Sequence, residues 1–425
     1  MLNSEQKEFV DLVTGVPDDF RIVLNAPGGT GKTFTLKHLV RNSDLKIIIL
    51  CPTHKAKSLF MKEGICAQTI HRFFHSVKDV NEDTGEEYFI MVNNSDPRDC
   101  DLIIVDECSM VNEQMYQFFR VINKPIIFVG DRHQIMPVKE DVSPVFSLER
   151  TFTFTKNMRI KNNPDSMSAM YLKQFREAVD NIKLKIRVDR RPTEFMLEYF
   201  EKDCDCVVLA WTNKQVSYWS DLIRRHIFHS DKPEKFYVGE KLVYSGFRRM
   251  YSPKGDDILH YYSSDIITIS EIQEESIFIN FKKCRCEFQK SNPEKVLKCD
   301  KCGIKGHSVS GYLLDFYKLI DNNGVPWFQV KQKDAAKLST ILNEFKNYCL
   351  IQKNKFIWVD YYTLKEAYKA DLKYSYSSTV HKAQGSQYGI VFVDIGNIRM
   401  NRNIEECSRL SYTAVSRFTD YVYFI

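Results

Sequence analysis

Ala26-Pro27-Gly28-Gly29-Thr30-Gly31-Lys32-Thr33 joins the apolar run RIVLN (21–25) to FTLKHLV (34–40), whose apolar residues recur at helical spacing. A strand, a glycine-rich loop and a helix start in that order form a cradle for phosphate. The glycines let backbone N–H groups close around an anion, and the helix N-terminus adds the positive end of its dipole. Lys32 supplies a charge for the β- and γ-phosphates, and the Thr33 hydroxyl is a natural Mg²⁺ ligand. Ala26 stands where such loops usually begin with glycine, and a small residue preserves the turn.

Three further aliphatic runs, KIIIL (46–50), DLIIV (101–105) and KPIIFVG (124–130), also end in polar loops. Continuous apolar strands alternating with helical stretches predict a parallel sheet buried on both faces, with functional loops at the strand C-termini. DLIIV runs into Asp106-Glu107, an acidic pair where a phosphate site needs one. Asp106 is placed to hold Mg²⁺ and Glu107 to polarise an attacking water as general base. The strand-like CVVLAWTNK (206–214) and the amphipathic stretch 215–228 begin a second α/β pattern, which resumes in SSTVHKAQG (377–385) and GIVFVDIG (389–396).

Two segments interrupt this plan. Residues 75–100, with Asp83-Thr84-Gly85 in the middle and EEYFIMV after it, predict a β-hairpin. Short alternating strands from 239 onward (EKLVYSG, DIITISEIQ, SIFINFKK) predict a β-rich, SH3-like insert over 239–364. That insert carries Cys284-x-Cys286 and Cys299-x-x-Cys302 followed by His307. Two close cysteine pairs can build a closed tetrahedral Zn²⁺ site, either from all four cysteines or from three with His307. Residues 281–307 hold eight Lys/Arg and three Asp/Glu, so 8 − 3 = +5 before metal, which suits a basic zinc knuckle.

Composition excludes some classes. With 44% hydrophobic and 27% charged residues the chain is globular rather than disordered. No run approaches the roughly 20 apolar residues of a membrane span, and MLNSEQKEFV lacks the apolar core of a signal peptide. A soluble intracellular protein, cytoplasmic or nuclear and without membrane contact, is therefore expected. The other eight cysteines are scattered and read as buried thiols of a reducing compartment.

The ordered motifs resemble a superfamily 1 DNA helicase of the RecD/Dda/PIF type, with a likeness running from residue 2 to 425 and weakest over the insert. The opening Leu2 to Gln6 resembles the Q motif, which implies that Gln6 reads the adenine edge. CPTHKAK (51–57) and QTIHRFF (68–74) resemble strand-binding motifs, implying nucleic-acid contact by Thr53, Lys55, Thr69 and His71. GDRHQIMPV (130–138) resembles motif III, with Gln134 as sensor between γ-phosphate and DNA, and FTKNMR (154–159) the arginine motif of Arg159. STVHKAQGSQY (378–388) resembles motif V, implying nucleotide contact by Gln384 and Gly385 and strand contact by Thr379, His381 and Lys382. LSYTAVSRF (410–418) resembles motif VI and makes Arg417 an arginine finger.

The resemblance implies two RecA-like motor domains, one over 1–160 and one over 161–238 with 365–425. It implies ATP with Mg²⁺ as cofactor and 5′→3′ unwinding of tailed or forked DNA by a monomer, with replication or repair proteins as partners. In the 5′→3′ group a hairpin at this position splits the duplex, which puts Tyr88 and Phe89 forward as tip residues. A single-strand translocase, an RNA helicase and a recruitment factor with a switch ATPase remain the competing readings.

Overall fold

A computed structural model describes residues 2–17, 19–61, 63–74, 76–91, 100–137, 142–158, 166–246, 248–251, 258–279 and 312–425. Its chain contacts divide into two units. One holds 1–76, 91–233 and 374–425; the other holds 77–90 and 234–373.

The first unit contains both parallel sheets. The larger has six strands in the order Ala67–Thr69, Ile47–Cys51, Leu102–Asp106, Ile126–Gly130, Arg21–Asn25 and Thr151–Thr153. All its neighbours are parallel. Side chains alternate across it: Ile22, Leu24, Ile104, Ile127 and Val129 enter one buried cluster, and Val23, Ile103, Val105 and Phe128 the other. Burial on both faces is why these strands read as unbroken apolar runs. The second sheet, ordered Ser377–Thr379, Cys206–Ala210, Tyr388–Val393 and Phe418–Phe424, is also parallel and repeats the device. Val207 and Leu209 face one cluster, Val208 and Ala210 the other.

In the second unit the strands Lys241–Tyr244, Ile266–Ile279, Tyr312–Asp321 and Pro326–Val330 pair antiparallel, and these strands end at residue 330. The expectation of a β-rich stretch to 364 needs correction, because Ala335–Gln352 and Lys355–Tyr368 are helices. The first buries Leu338, Ile341, Leu342, Phe345, Tyr348 and Cys349, a spacing of three and four that only a helix can place on one face. Asn354 starts the second by accepting the Phe356 N–H at 2.9 Å.

Ser76–Val80 and Glu87–Met91 form a two-stranded sheet. The Asn81 side chain accepts the N–H groups of Asp83 (2.9 Å) and Thr84 (3.1 Å) in the turn. Gly85 adopts φ +70°, and a Cβ there would lie 2.2 Å from the buried Trp358 ring. Tyr362 donates to Gly85 O at 2.9 Å, while Asp79 and Asp83 pair with Lys355 (2.7 Å) and Lys353 (2.6 Å). The turn is thus seated on the two helices. Cys284, Cys286, Cys299, Cys302 and His307 lie outside the described residues, as does Arg159.

Candidate active site

The glycine-rich loop leaves the Arg21–Asn25 strand and enters the helix Lys32–Asn42. Gly29 and Gly31 take φ +86° and +81°, which side chains resist. A Cβ on Gly31 would also lie 2.6 Å from Gln6 Nε2. Thr30 is buried and ties the loop to itself by donating to Pro27 O at 2.8 Å.

At the neighbouring strand end, Lys32 Nζ lies 2.8 Å from Glu107 Oε1 and 3.3 Å from Asp106 Oδ1. Burial opposes the Lys32 charge, but Asp106 and Glu107 hold the ammonium above its ordinary pKa. Burial likewise opposes charge on Glu107, yet Lys32 and Arg417 keep its carboxyl below the usual range, so it stands ionised as a base must. Asp106 is pushed upward, by burial first and by the Glu107 charge as well. Glu107 adopts a left-handed φ of +53°, uncommon for a non-glycine residue.

A cavity of about 320 Å³ opens here, lined by Gly28, Gly29, Gly31, Lys32, Thr33, Asp106, Glu107 and Gln134 from the first half of the unit. From the second half come Gly385, Ser386, Gln387, Ser416 and Arg417. Buried Arg417 is aimed by its own helix end, donating from Nε to Thr413 O (3.1 Å) and from Nη2 to Ser416 Oγ (2.9 Å). Glu107 Oε2 and Gln134 Oε1 are buried without a hydrogen-bond partner, and Asp106 Oδ1 has only its 3.3 Å ion pair with Lys32. Unpaired buried oxygens are costly, and oxygen ligands beside Thr33 fit a Mg²⁺-bearing polyphosphate.

Other expected residues are placed differently. Gln6 has both amide atoms engaged: Nε2 donates to Thr30 O (3.1 Å) and Oε1 accepts from Asn3 N (2.9 Å). Gln384 does not line the cavity; its amide crosses to Ile135 O at 3.1 Å, and its neighbours Gly385, Ser386 and Gln387 supply the wall. Thr53, Thr69 and Thr379 each accept a backbone N–H three residues on, from Ala56, Arg72 and Lys382. Each hydroxyl starts a turn and still carries a proton to donate. Burial lowers the pKa of His71 and of His381, the latter 3.9 Å from Glu406. Lys55 lies on the helix His54–Met61, and Tyr88 and Phe89 on the second hairpin strand; their side chains lie outside the described residues. Among the described residues no three His, Cys, Asp or Glu gather to hold a metal.

Asp131 lies in GDRHQIMPV and Tyr412 in LSYTAVSRF, and neither had an expected role. Both are fully buried, and Tyr412 donates to Asp131 Oδ2 at 2.7 Å.

Two parallel sheets, a phosphate loop over an acidic pair and an arginine brought in from the second half define a P-loop ATPase with paired RecA-like halves. The family described as AAA domain matches residues 12–140, and the UvrD-like helicase C-terminal domain matches 374–425. The ATP-dependent DNA helicase dda of Enterobacteria phage T4 is 26% identical over 452 residues, covering 96% of this chain and 98% of that protein. A protein of Acanthamoeba polyphaga mimivirus is 22% identical over 467 residues, covering 92% of each. The crystal structure of a Bacteroides Pif1 helicase in complex with ADP-AlF3 and ssDNA superposes with a TM-score of 0.51 at 14% identity, over 100% of this chain and 92% of that one, which establishes a shared fold. In these matches the chain is similar to superfamily 1 helicases of the Dda/PIF type.

Proposed function

We propose that this chain is an ATP-dependent DNA helicase that translocates 5′→3′ on single-stranded DNA and unwinds tailed or forked duplex. The observation that carries the reading is the cavity built by both halves, with Lys32, Asp106 and Glu107 from one and Arg417 from the other. Phosphoryl transfer is catalysed mainly by positioned charge. Lys32, now paired with two carboxylates, would exchange them for β- and γ-phosphate oxygens. Glu107 would then be released to orient the attacking water, with Gln134 beside it, and Arg417 would offset charge on the γ-phosphate. Thr33 and Asp106 would hold Mg²⁺, whose bound chemistry is charge neutralisation on phosphate oxygens. Because cations reach the phosphates from both halves, hydrolysis and cleft opening are coupled.

The relative from phage T4 is named a DNA helicase, and the Bacteroides protein was crystallised with single-stranded DNA. Both support DNA as the track. Thr53, Lys55, Thr69, His71, Thr379, His381 and Lys382 would contact the strand, Gln6 the adenine edge, and Arg159 the γ-phosphate. The motor halves would span 1–160 and 161–238 with 365–425. The insert 239–364 would carry a structural Zn²⁺ on Cys284, Cys286, Cys299 and Cys302, a reading supported by their spacing. The hairpin would split the duplex. No helix among the described residues is long and apolar enough to cross a membrane. The chain would work as a soluble intracellular monomer with replication or repair proteins.

The test is strand displacement on 5′-tailed DNA, 3′-tailed DNA and RNA duplexes. Unwinding from the 5′ tail is expected. Displacement from the 3′ tail alone would reverse the polarity, and RNA alone the substrate. ATP hydrolysis without strand separation would favour a translocase or a recruitment factor.

A further inference from the structure

The loop after the Ile126–Gly130 strand places Asp131 at the meeting point of three segments. Its Oδ2 accepts the Gly28 N–H of the phosphate loop at 3.1 Å, the Tyr412 hydroxyl at 2.7 Å and the Gln134 amide at 3.4 Å. Its Oδ1 accepts the His133 N–H at 3.0 Å and lies 3.3 Å from His133 Nδ1. The far ring nitrogen of His133 reaches the Asp180 carboxylate at 3.0 Å, at the end of the helix Met167–Asp180.

Tyr412 sits five residues before Arg417, on the helix Ile404–Val415. Its hydroxyl also lies 3.4 Å from Gly28 N, and a Cβ on Gly28 would come 3.1 Å from Ser416 Cβ. The helix that delivers Arg417 therefore presses on the phosphate loop, and Tyr412 is its polar link. Burial, then the Asp131 charge, push the phenol well above its usual pKa, so the hydroxyl keeps its proton and donates. Against burial, hydrogen bonds from His133 and Tyr412 hold the Asp131 carboxyl below its usual range.

We propose that Tyr412 is a positioning residue for ATP hydrolysis: arriving with Arg417, its hydroxyl completes the donor set around Asp131, which in turn fixes Gly28 of the phosphate loop and the Gln134 amide. The proposal rests on the ATPase reading above and adds a residue that touches neither phosphate nor strand. When the second half withdraws, Asp131 loses its strongest donor, and Gln134 loses the fixed carboxylate that orients it. The cleft's closure is thereby felt by the loop as well as by the phosphate.

Tyr412→Phe keeps the ring and removes the hydroxyl. A hydrogen bond to a buried carboxylate is worth on the order of tenfold or more. DNA-stimulated kcat should fall by roughly that factor, with the ATP KM within about twofold of wild type, since the substrate's own contacts remain. Asp131→Asn should act in the same direction, and the double variant should be no worse than the poorer single one, because both break one link. A Tyr412→Phe kcat within about twofold of wild type would overturn the proposal. So would losses that multiply in the double variant, or a fall expressed in KM alone. A wild-type chain that fails to hydrolyse ATP would instead refute the motor reading, and the proposal with it.

Discussion

Replacing Arg417 by alanine tests the division of labour in the cleft most directly. Arg417 is 5% exposed and its guanidinium is held by Thr413 O and Ser416 Oγ, so it is oriented before any substrate arrives. Arginine fingers contribute about 10³–10⁵ to turnover. Lys32 remains as a second cation in the same cavity, which places the loss near the lower bound, about 10³, or roughly 4 kcal/mol at 1.36 kcal/mol per decade. Stability should change less, because the deletion removes donors to one carbonyl and one hydroxyl, about 1–3 kcal/mol. The assay is phosphate release at saturating ATP with single-stranded DNA, alongside a thermal melt and nucleotide binding. Arg417→Lys should recover part of the rate, since the charge returns without the planar fork. A loss below tenfold in a folded Arg417→Ala protein that binds nucleotide would remove Arg417 from the transition state.

Lys32→Ala should abolish turnover while single-strand binding, measured by fluorescence anisotropy, persists; near wild-type hydrolysis would refute the phosphate-loop assignment. Purified chain should contain about one zinc by elemental analysis, since four thiolates complete one tetrahedral site, and Cys299→Ser with Cys302→Ser should lose it while basal ATPase survives. Zinc-free protein prepared without chelator would defeat that assignment. Gly85→Val should unseat the hairpin turn from Trp358, a clash that typically costs about 1–3 kcal/mol, seen as faster proteolysis within 76–91 and weaker unwinding; unchanged proteolysis would show that the seat tolerates a side chain. His54, lowered to about 4 by burial and by Lys57, favours the neutral ring in the fold. Its contribution is therefore complete above the unfolded value near 6.5 and is lost as pH falls from there toward 4. A His54→Asn melt that keeps the full wild-type slope across that window would contradict this.

What the sequence disclosed follows from which forces act locally. The parallel sheets were legible because burial on both faces forces unbroken runs such as LIIVD and IIFVG. The phosphate loop and acidic pair were legible because their chemistry resides in adjacent residues. The helices at 335–352 and 355–368 were carried in a helical spacing of apolar residues, overlooked because the preceding strands set the expectation. Asp131 and Tyr412 were hidden for a different reason: 281 positions separate them, and nothing in either motif announces a hydrogen bond to the other. Gln384 stands where nucleotide contact was expected, yet the turn aims its amide at Ile135 O instead.

Several of the bonds that cross the cleft converge on one short loop. Tyr412 reaches Asp131, Thr413 Oγ1 accepts from Ile135 N at 3.0 Å, Arg409 donates to Arg132 O (2.6 Å) and Gln134 O (3.2 Å), and Gln384 donates to Ile135 O. The same loop holds Gly28 through Asp131 and presents Gln134 to the cavity. A group entering the cavity that draws on the unpaired Gln134 oxygen therefore acts on a segment already bonded to the other half. Such a loop is expected to have two settings, bonded or released, because buried donors and acceptors left without partners cost about 1–3 kcal/mol each. Intermediate openings would strand several at once, so the cleft is expected to switch rather than slide.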